Sequence, residues 1–193
     1  MSPSPFIPPA VLTTPRLRLE PLGPEHFEGS WAALQNPESM RLTGTHQQFT
    51  REQVERWLAG LAETDGRADW AIITVEDGVH IGEVVLNDYD AANRSLGFRI
   101  ALGADHTFGK GYGTEATRAV VDYAFDEIGV HRIGLEVYAF NPRAQRVYEK
   151  CGFRVEGRMR DALLWDGEWV DAVLMGMLAT DPRPWSRLVA SVK

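Results

Sequence analysis

The nine residues Phe108-Gly109-Lys110-Gly111-Tyr112-Gly113-Thr114-Glu115-Ala116 constrain this chain more than any other stretch. Three glycines at alternate positions run directly into good helix formers, which describes a tight loop opening into a helix. Glycine tolerates positive φ and lets the backbone come close to a ligand. A helix start adds unpaired N–H groups and the positive end of the macrodipole, so the unit is a seat for phosphate. Ala116, Ala119, Val120, Tyr123, Ala124 and Phe125 then give an apolar stripe at helical spacing, predicting a helix from about Gly113 to Ile128, with Glu115 well placed in its first turn.

A glycine-rich turn that holds no ligand is the plain alternative. Two familiar phosphate loops are excluded. A Walker loop ends in Gly-Lys-Ser/Thr, whereas Lys110 lies between the first two glycines. A dinucleotide fingerprint needs G-x-G-x-x-G and an acid closing the next strand. Here the loop reads G-x-G-x-G and the next strand ends in Asn141-Pro142, which disfavours a nicotinamide-dependent reductase.

A chain of 193 residues suits one domain with a proper core. The net charge of −7 argues against nucleic acid and mildly favours a cationic partner. Cys151 is the sole cysteine, so no internal disulfide forms and a reducing compartment fits. Met1 to Ala10 lacks the basic and apolar regions of a signal peptide, and no apolar run is long enough to span a bilayer. Cytoplasm is the expected compartment, with no membrane partner.

Along the chain, prolines at 3, 5, 8 and 9 make residues 1–12 a flexible arm. Residues 16–22 alternate charge and leucine as a first strand. A helix is expected over 24–35, and a mobile polar loop over 38–49. Thr50-Arg51-Glu52-Gln53 is a capping box, with Val54, Trp57, Leu58 and Leu61 on the buried face behind it. Strands follow at 70–75, 81–86 and 96–102, the first two joined at Asp77-Gly78. After the glycine loop and its helix come a strand at 132–140 and a short helix opened by Asn141-Pro142. A hairpin turning at Asp166-Gly167 closes the domain at 178. Residues 179–193 read as a C-terminal tail in which Trp185 and Leu188 can dock. This order predicts one α/β (α+β) domain over 13–178: a mixed, mostly antiparallel central sheet flanked by helices, with one crossover at the glycine loop.

The glycine string, followed by Leu135-Glu136-Val137-Tyr138-Ala139-Phe140-Asn141-Pro142-Arg143-Ala144 and by Val147-Tyr148-Glu149-Lys150-Cys151-Gly152-Phe153, resembles the GNAT superfamily of N-acetyltransferases. Within it the chain is most similar to the RimJ/RimL-type branch, through Thr14-Pro15-Arg16-Leu17-Arg18-Leu19, Glu156-Gly157 and Asp166-Gly167-Glu168-Trp169-Val170-Asp171. The resemblance covers residues 13 to 178 and supplies a ligand for the loop: the pyrophosphate of acetyl-CoA, as co-substrate. Phe108 departs from the Gln or Arg usual at the loop's first position, and Ala144 from a frequent serine.

The resemblance implies a GNAT fold whose sheet is splayed at the cofactor site, where strand 98–102 spreads from strand 132–140. Backbone groups of Ile100, Ala101 and Leu102 would meet the pantetheine arm and thioester oxygen. The loop residues Phe108, Gly109, Lys110, Gly111, Tyr112, Gly113 and Thr114 would hold the diphosphate, with Asn141 and Arg146 as further cofactor contacts. Tyr148, a neutral phenol at pH 7, is the expected donor to the leaving sulfur, although it also sits on the packed helical stripe. No covalent constellation is evident, and direct attack by an amine in a ternary complex needs none. Glu83 is the selected general base, from a set that includes Asp88 and Glu136, with a water chain or an amine that arrives already free as equal alternatives. His46, in the polar loop, and His106, beside the glycine loop, have no supporting context for a role, and the five histidines show no metal-ligand spacing, so no metal is expected.

Glu38, Arg41, His46, Asp166, Glu168 and Asp171 are candidates to line the acceptor pocket. The resemblance implies a primary amine as acceptor: a protein N-terminus, a polyamine or another small amine. A homodimer is a further option that relatives offer, and a non-catalytic CoA-binding sensor or scaffold is the alternative function.

Overall fold

A computed structural model describes residues 9–103 and 107–185. The strands are β1 (Leu12–Thr13), β2 (Leu17–Pro21), β3 (Ala68–Thr74), β4 (His80–Asp90), β5 (Ser95–Leu102), β6 (Arg132–Tyr138), β7 (Arg154–Trp165) and β8 (Glu168–Leu178). The helices are α1 (Phe27–Gln35), α2 (Pro37–Thr43), α3 (Arg51–Gly60), α4 (Tyr112–Asp122) and α5 (Pro142–Lys150). All eight strands form one sheet in the order β1-β2-β3-β4-β5-β6-β8-β7. Every neighbouring pair is antiparallel except β5–β6, which α4 joins as a parallel crossover.

The period-2 alternation of the strands sends alternate residues to opposite faces, and each face carries its own helices. Trp70, Ile72, Val84, Leu86 and Phe98 pack with Ala116, Val120 and Val121 of α4 and with Tyr148 of α5. Ala71 and Ile73 face the other way, onto Val54 and Leu58 of α3 and the half-buried Phe27, Trp31 and Leu34. The sheet therefore lies between α4–α5 on one side and α1–α3 on the other.

Two local expectations change. The stretch 38–49 is not all loop: Asn36 accepts the Ser39 N–H at 2.9 Å, Pro37 takes the first helical position, and Gly44 stops the helix at φ 66°. These caps make α2 from a segment too short to show periodicity. The helix after the glycine loop is α-helical only to Asp122, then continues as a π-helical turn over Tyr123–Ile128. Both ends of the described chain are tied down. Trp70 Nε1 donates to Ala10 O at 2.8 Å and β1 pairs with β2, so the arm is anchored from Ala10 on. Arg183 bonds Asp122 and Asp126, and Trp185 Nε1 donates to Asp122 at 3.1 Å. Leu188 lies outside the described residues.

What positions the site is the β5–β6 pair. Its rungs are Ser95↔Arg132, Leu96↔Ile133 and Gly97↔Gly134. Beyond them β5 stays on β4 as far as Leu102, and β6 stays on β8 as far as Tyr138. The two strands part from Phe98 onward, and alternate backbone groups of Phe98 to Leu102 face a gap.

Candidate active site

Gly109 (φ 76°) and Gly111 (φ 83°) carry the loop through left-handed backbone, with Gly111 as N-cap of α4. The first backbone bond of the helix runs from Glu115 N–H to Gly111 O, 3.0 Å. The N–H groups of Tyr112, Gly113 and Thr114 therefore stand at the open end of the helix. A Cβ added to Gly113 would meet only Leu102 at 3.8 Å and Val147 at 4.0 Å, so this glycine leaves room where the fold itself asks for none.

The outer side of the loop is clamped by residues that lead into β2. The Arg16 guanidinium donates to Lys110 O at 2.9 Å and to Glu115 at 2.6–2.7 Å, and lies over the Tyr112 ring at 4.8 Å. Thr14 Oγ1 and the Arg16 N–H donate to the other Glu115 oxygen at 2.6 and 2.9 Å. Burial pushes the Glu115 carboxyl up, but these bonds outweigh it and hold it below the ordinary carboxylate value.

A cavity of about 250 Å³ opens between this loop, β5 and α5. Ile100, Ala101, Leu102, Phe108, Gly109, Gly111, Tyr112, Gly113, Thr114, Asn141, Arg146 and Tyr148 all line it. Lys110 does not: its exposed side chain lies outside the lining and its carbonyl is taken by Arg16. Reasoning from sequence also passed over Arg143, which sits 3.9 Å over the Phe108 ring, and Ser39, Leu42 and Thr43 of α2. Arg143 follows Asn141-Pro142 by one residue, and that proximity was the available signal. Asn141 caps α5, its Oδ1 accepting the Ala144 N–H at 3.1 Å. Tyr148 is 6% exposed, edge-on to Phe98 and Phe153 with ring centroids 6.2 and 6.1 Å away. Burial raises its phenol well above the ordinary tyrosine value.

Glu83 lies elsewhere, in a second cavity of about 250 Å³ between the sheet and α1–α3. It stands opposite Ala101 in the β4–β5 register. Its carboxylate accepts the hydroxyl of buried Ser30, and burial, reinforced by the charge of Asp69, pushes its pKa up. Asp88 and Glu136 line a third space, a groove of about 610 Å³ along the β5–β6 gap. Thr43 and Ile100 border all three spaces, which therefore adjoin at the open edge of β5.

The expected acceptor-pocket residues are otherwise engaged. Glu38 pairs with Arg41 at 2.9 Å, Arg41 lies over Phe140, Asp171 accepts from Arg158, and His46 stacks on Trp165 at 4.8 Å. None of these, nor Asp166 or Glu168, lines the three spaces. His106 lies outside the described residues. Among the described residues no three His, Cys, Asp or Glu side chains converge to hold a metal ion, and no helix is long and apolar enough to cross a membrane.

The family model for the acetyltransferase (GNAT) domain matches residues 16–154. The chain belongs to the GNAT acetyltransferases. Among curated GNAT relatives, the spermidine N(1)-acetyltransferase of Vibrio cholerae is 34% identical over 51% of this chain, and the probable N-acetyltransferase YjcK of Bacillus subtilis 36% over 62%. The chain spans 56% and 66% of the lengths of those two relatives. In structure it is similar to the Vibrio cholerae spermidine N-acetyltransferase solved with CoA and spermine, with a TM-score of 0.80 at 23% identity, covering 86% of this chain and 98% of that one. A GNAT acetyltransferase of Bacillus anthracis superposes with a TM-score of 0.76 at 22% identity, covering 88% and 99%.

The GNAT donor, acetyl-CoA, suits this site on the chain's own geometry. An open helix N-terminus and a left-handed glycine loop meet a diphosphate's needs. Arg143, Arg146 and Lys150 line the same cavity from α5 and add positive charge. The unpaired edge of β5 offers backbone partners to the amides of a pantetheine arm.

Proposed function

We propose that the chain is an acetyl-CoA-dependent N-acetyltransferase of the RimJ/RimL-type branch, acting by direct attack of a primary amine in a ternary complex. The observation that carries this reading is one cavity in which the open end of the glycine loop meets the unpaired edge of β5. The spermidine acetyltransferases among the relatives support an amine acceptor: a polyamine, a protein N-terminus or another small amine. Cytoplasm is the compartment this reading implies.

Acetyl-CoA supplies an acyl group activated as a thioester. The loop amides with Arg146 hold its phosphates, and the backbone of Ile100 to Leu102 holds the arm and faces the carbonyl oxygen as it gains charge. Glu83, raised into a more basic range by burial, takes the first proton from the ammonium and passes it to solvent. The freed nitrogen then bonds the acetyl carbon, the C–S bond breaks, and its electron pair stays on sulfur. The second proton lost from nitrogen ends on that sulfur. Tyr148 steadies the thiolate by donating a hydrogen bond. Its raised pKa keeps the phenol neutral but makes complete transfer to a thiolate of pKa ~8.5 uphill, so Tyr148 acts as a donor that keeps its proton.

Release of free thiol from acetyl-CoA across a panel of amines tests this. If acetyl-CoA binds and no amine releases thiol, the chain is a CoA-binding sensor and not an enzyme.

A further inference from the structure

The cavity on the α1–α3 face has a charge arrangement that discriminates among amines of one size. Its two acids are not equivalent. Asp69, 4% exposed, is held by Arg67 through two bonds of 2.6 and 2.7 Å, so its charge is already matched. Glu83 has the Ser30 hydroxyl as its hydrogen-bond partner and no cation paired to it among the described residues. Arg99 lines the same cavity on the side of the β5–β6 gap, likewise without a carboxylate partner among the described residues. Asp69 and Arg67 thus neutralise each other, and Glu83 is the one carboxylate of this cavity that an incoming ammonium can pair with, while Arg99 adds a positive charge on the gap side. Leu34, Met40, Phe49, Trp57 and Val85 make the apolar part of the wall, beside the hydroxyl residues Ser39, Thr43 and Thr45.

Resting on the acetyltransferase reading, we propose that the acceptor is a compact apolar monoamine whose ammonium sits at Glu83, and that Arg99 excludes polyamines. A cavity of ~150 Å³ holds a benzene, so about 250 Å³ takes a molecule of roughly ten heavy atoms. Spermidine and 2-phenylethylamine both have close to that size, so volume does not separate them. Charge does. The second and third ammonium groups of a polyamine find Asp69 already paired and Arg99 repelling them, while their hydration is lost against Phe49 and Trp57. An aromatic amine satisfies Glu83 with its one charge and buries its ring against those same walls.

The test compares kcat/KM for 2-phenylethylamine, spermidine and the tripeptide Phe-Ala-Ala, by thiol release at saturating acetyl-CoA. The expected result is a preference for 2-phenylethylamine over spermidine of at least about tenfold. Arg99→Gln should lower that ratio about fivefold, the effect of removing one unit charge roughly 8 Å from another at a dielectric between protein surface and water. Arg99 is exposed, and an unchanged melting temperature verifies that the variant folds. Spermidine used as well as 2-phenylethylamine, or a ratio unmoved by Arg99→Gln, overturns the proposal while leaving the acetyltransferase reading intact. A tripeptide favoured over both amines overturns it in favour of protein N-termini. Acetyl-CoA binding with no thiol release on any of the three defeats the enzymatic reading itself.

Discussion

Replacing Gly113 with alanine should move stability and cofactor affinity in opposite directions. Gly113 has ordinary helical backbone in the first turn of α4 and no positive φ to lose. Alanine is the better helix former by about 1 kcal/mol in a helix interior, and roughly half of that is expected in a first turn. For a domain of this size ~0.5 kcal/mol corresponds to a rise of about 1–2 °C in melting temperature. The added methyl stands 3.8 Å from Leu102 and 4.0 Å from Val147, ordinary contact for the empty protein. It also projects toward Leu102 and Val147, which line the cavity proposed for acetyl-CoA. Overfilling a tight site costs about 1–3 kcal/mol, so the Kd for acetyl-CoA should rise on the order of 30-fold. Thermal unfolding without ligand, with calorimetry against acetyl-CoA, reads both numbers on one preparation. A variant that melts higher yet binds acetyl-CoA within twofold of the parent would show that Gly113 does not face the cofactor. A variant that melts several degrees lower would contradict the space found around that Cα.

Tyr148→Phe should cut kcat by about 10- to 100-fold while the acetyl-CoA Kd stays within about threefold, since the ring remains packed on Phe98 and Phe153; equal rates would remove the phenol from the mechanism. Glu83→Gln should cost on the order of 100-fold in kcat and abolish the acidic limb of the rate profile. Its stability effect has a definite sign. The folded pKa lies above 4.5, so the stability the protonated form contributes is complete below pH 4.5 and is lost as pH rises through the folded value. The glutamine variant should therefore melt higher than the parent at pH 8 and nearly equal to it at pH 4, and a lower melting point at pH 8 would count against a desolvated carboxylate. Arg16→Ala should raise the acetyl-CoA Kd about fivefold by loosening the loop, with at most ~1 kcal/mol lost in stability because the ion pair is half exposed to solvent. An unchanged Kd would show the clamp to be ornamental.

What was legible in the sequence was local. The capping box Thr50–Gln53 forms both of its bonds, at 2.8 and 3.3 Å, and Asn141-Pro142 opens α5. Asp166 and Gly167 both take positive φ at the last hairpin. Each signal lies within a few residues of the structure it specifies. α2 escaped because seven residues show no periodicity, even though Asn36, Pro37 and Gly44 bracket it. The site divides along the same line. The glycine loop and α5 announce their cavity through motif, whereas the Arg16–Glu115 clamp joins residues 99 apart and the Glu83–Ser30 bond residues 53 apart. Acids on the α2 segment and the last hairpin looked like a pocket for a cation only because nothing in their order reveals that Arg41 and Arg158 already neutralise two of them.

The gap itself has a physical origin in the side chains at its apex. Its last rung pairs two glycines, Gly97 and Gly134, which bring no side chains of their own to the junction. The next residue of β5 is Phe98, and Tyr148 of α5 and Phe153 pack around it with all three centroid separations between 6.0 and 6.2 Å. Three rings close-packed on the α4–α5 face occupy the place where the helix side of β5 and β6 would otherwise draw together. On the flanks β8 pairs with β6 in unbroken register from Arg132 to Tyr138, and β4 pairs with β5 from Gly97 to Leu102 beyond a register shift between Asn87 and Asp90, so the strands separate at the β5–β6 seam. The cofactor cavity and the Glu83 cavity, on opposite faces of an otherwise continuous sheet, come within reach of each other at that seam. Tyr148 is thus both part of the wedge and a residue that lines the cavity and the groove meeting at the opening. From that double use, removal of its hydroxyl should leave the gap open, whereas loss of its ring should let the two strands zip toward Tyr138.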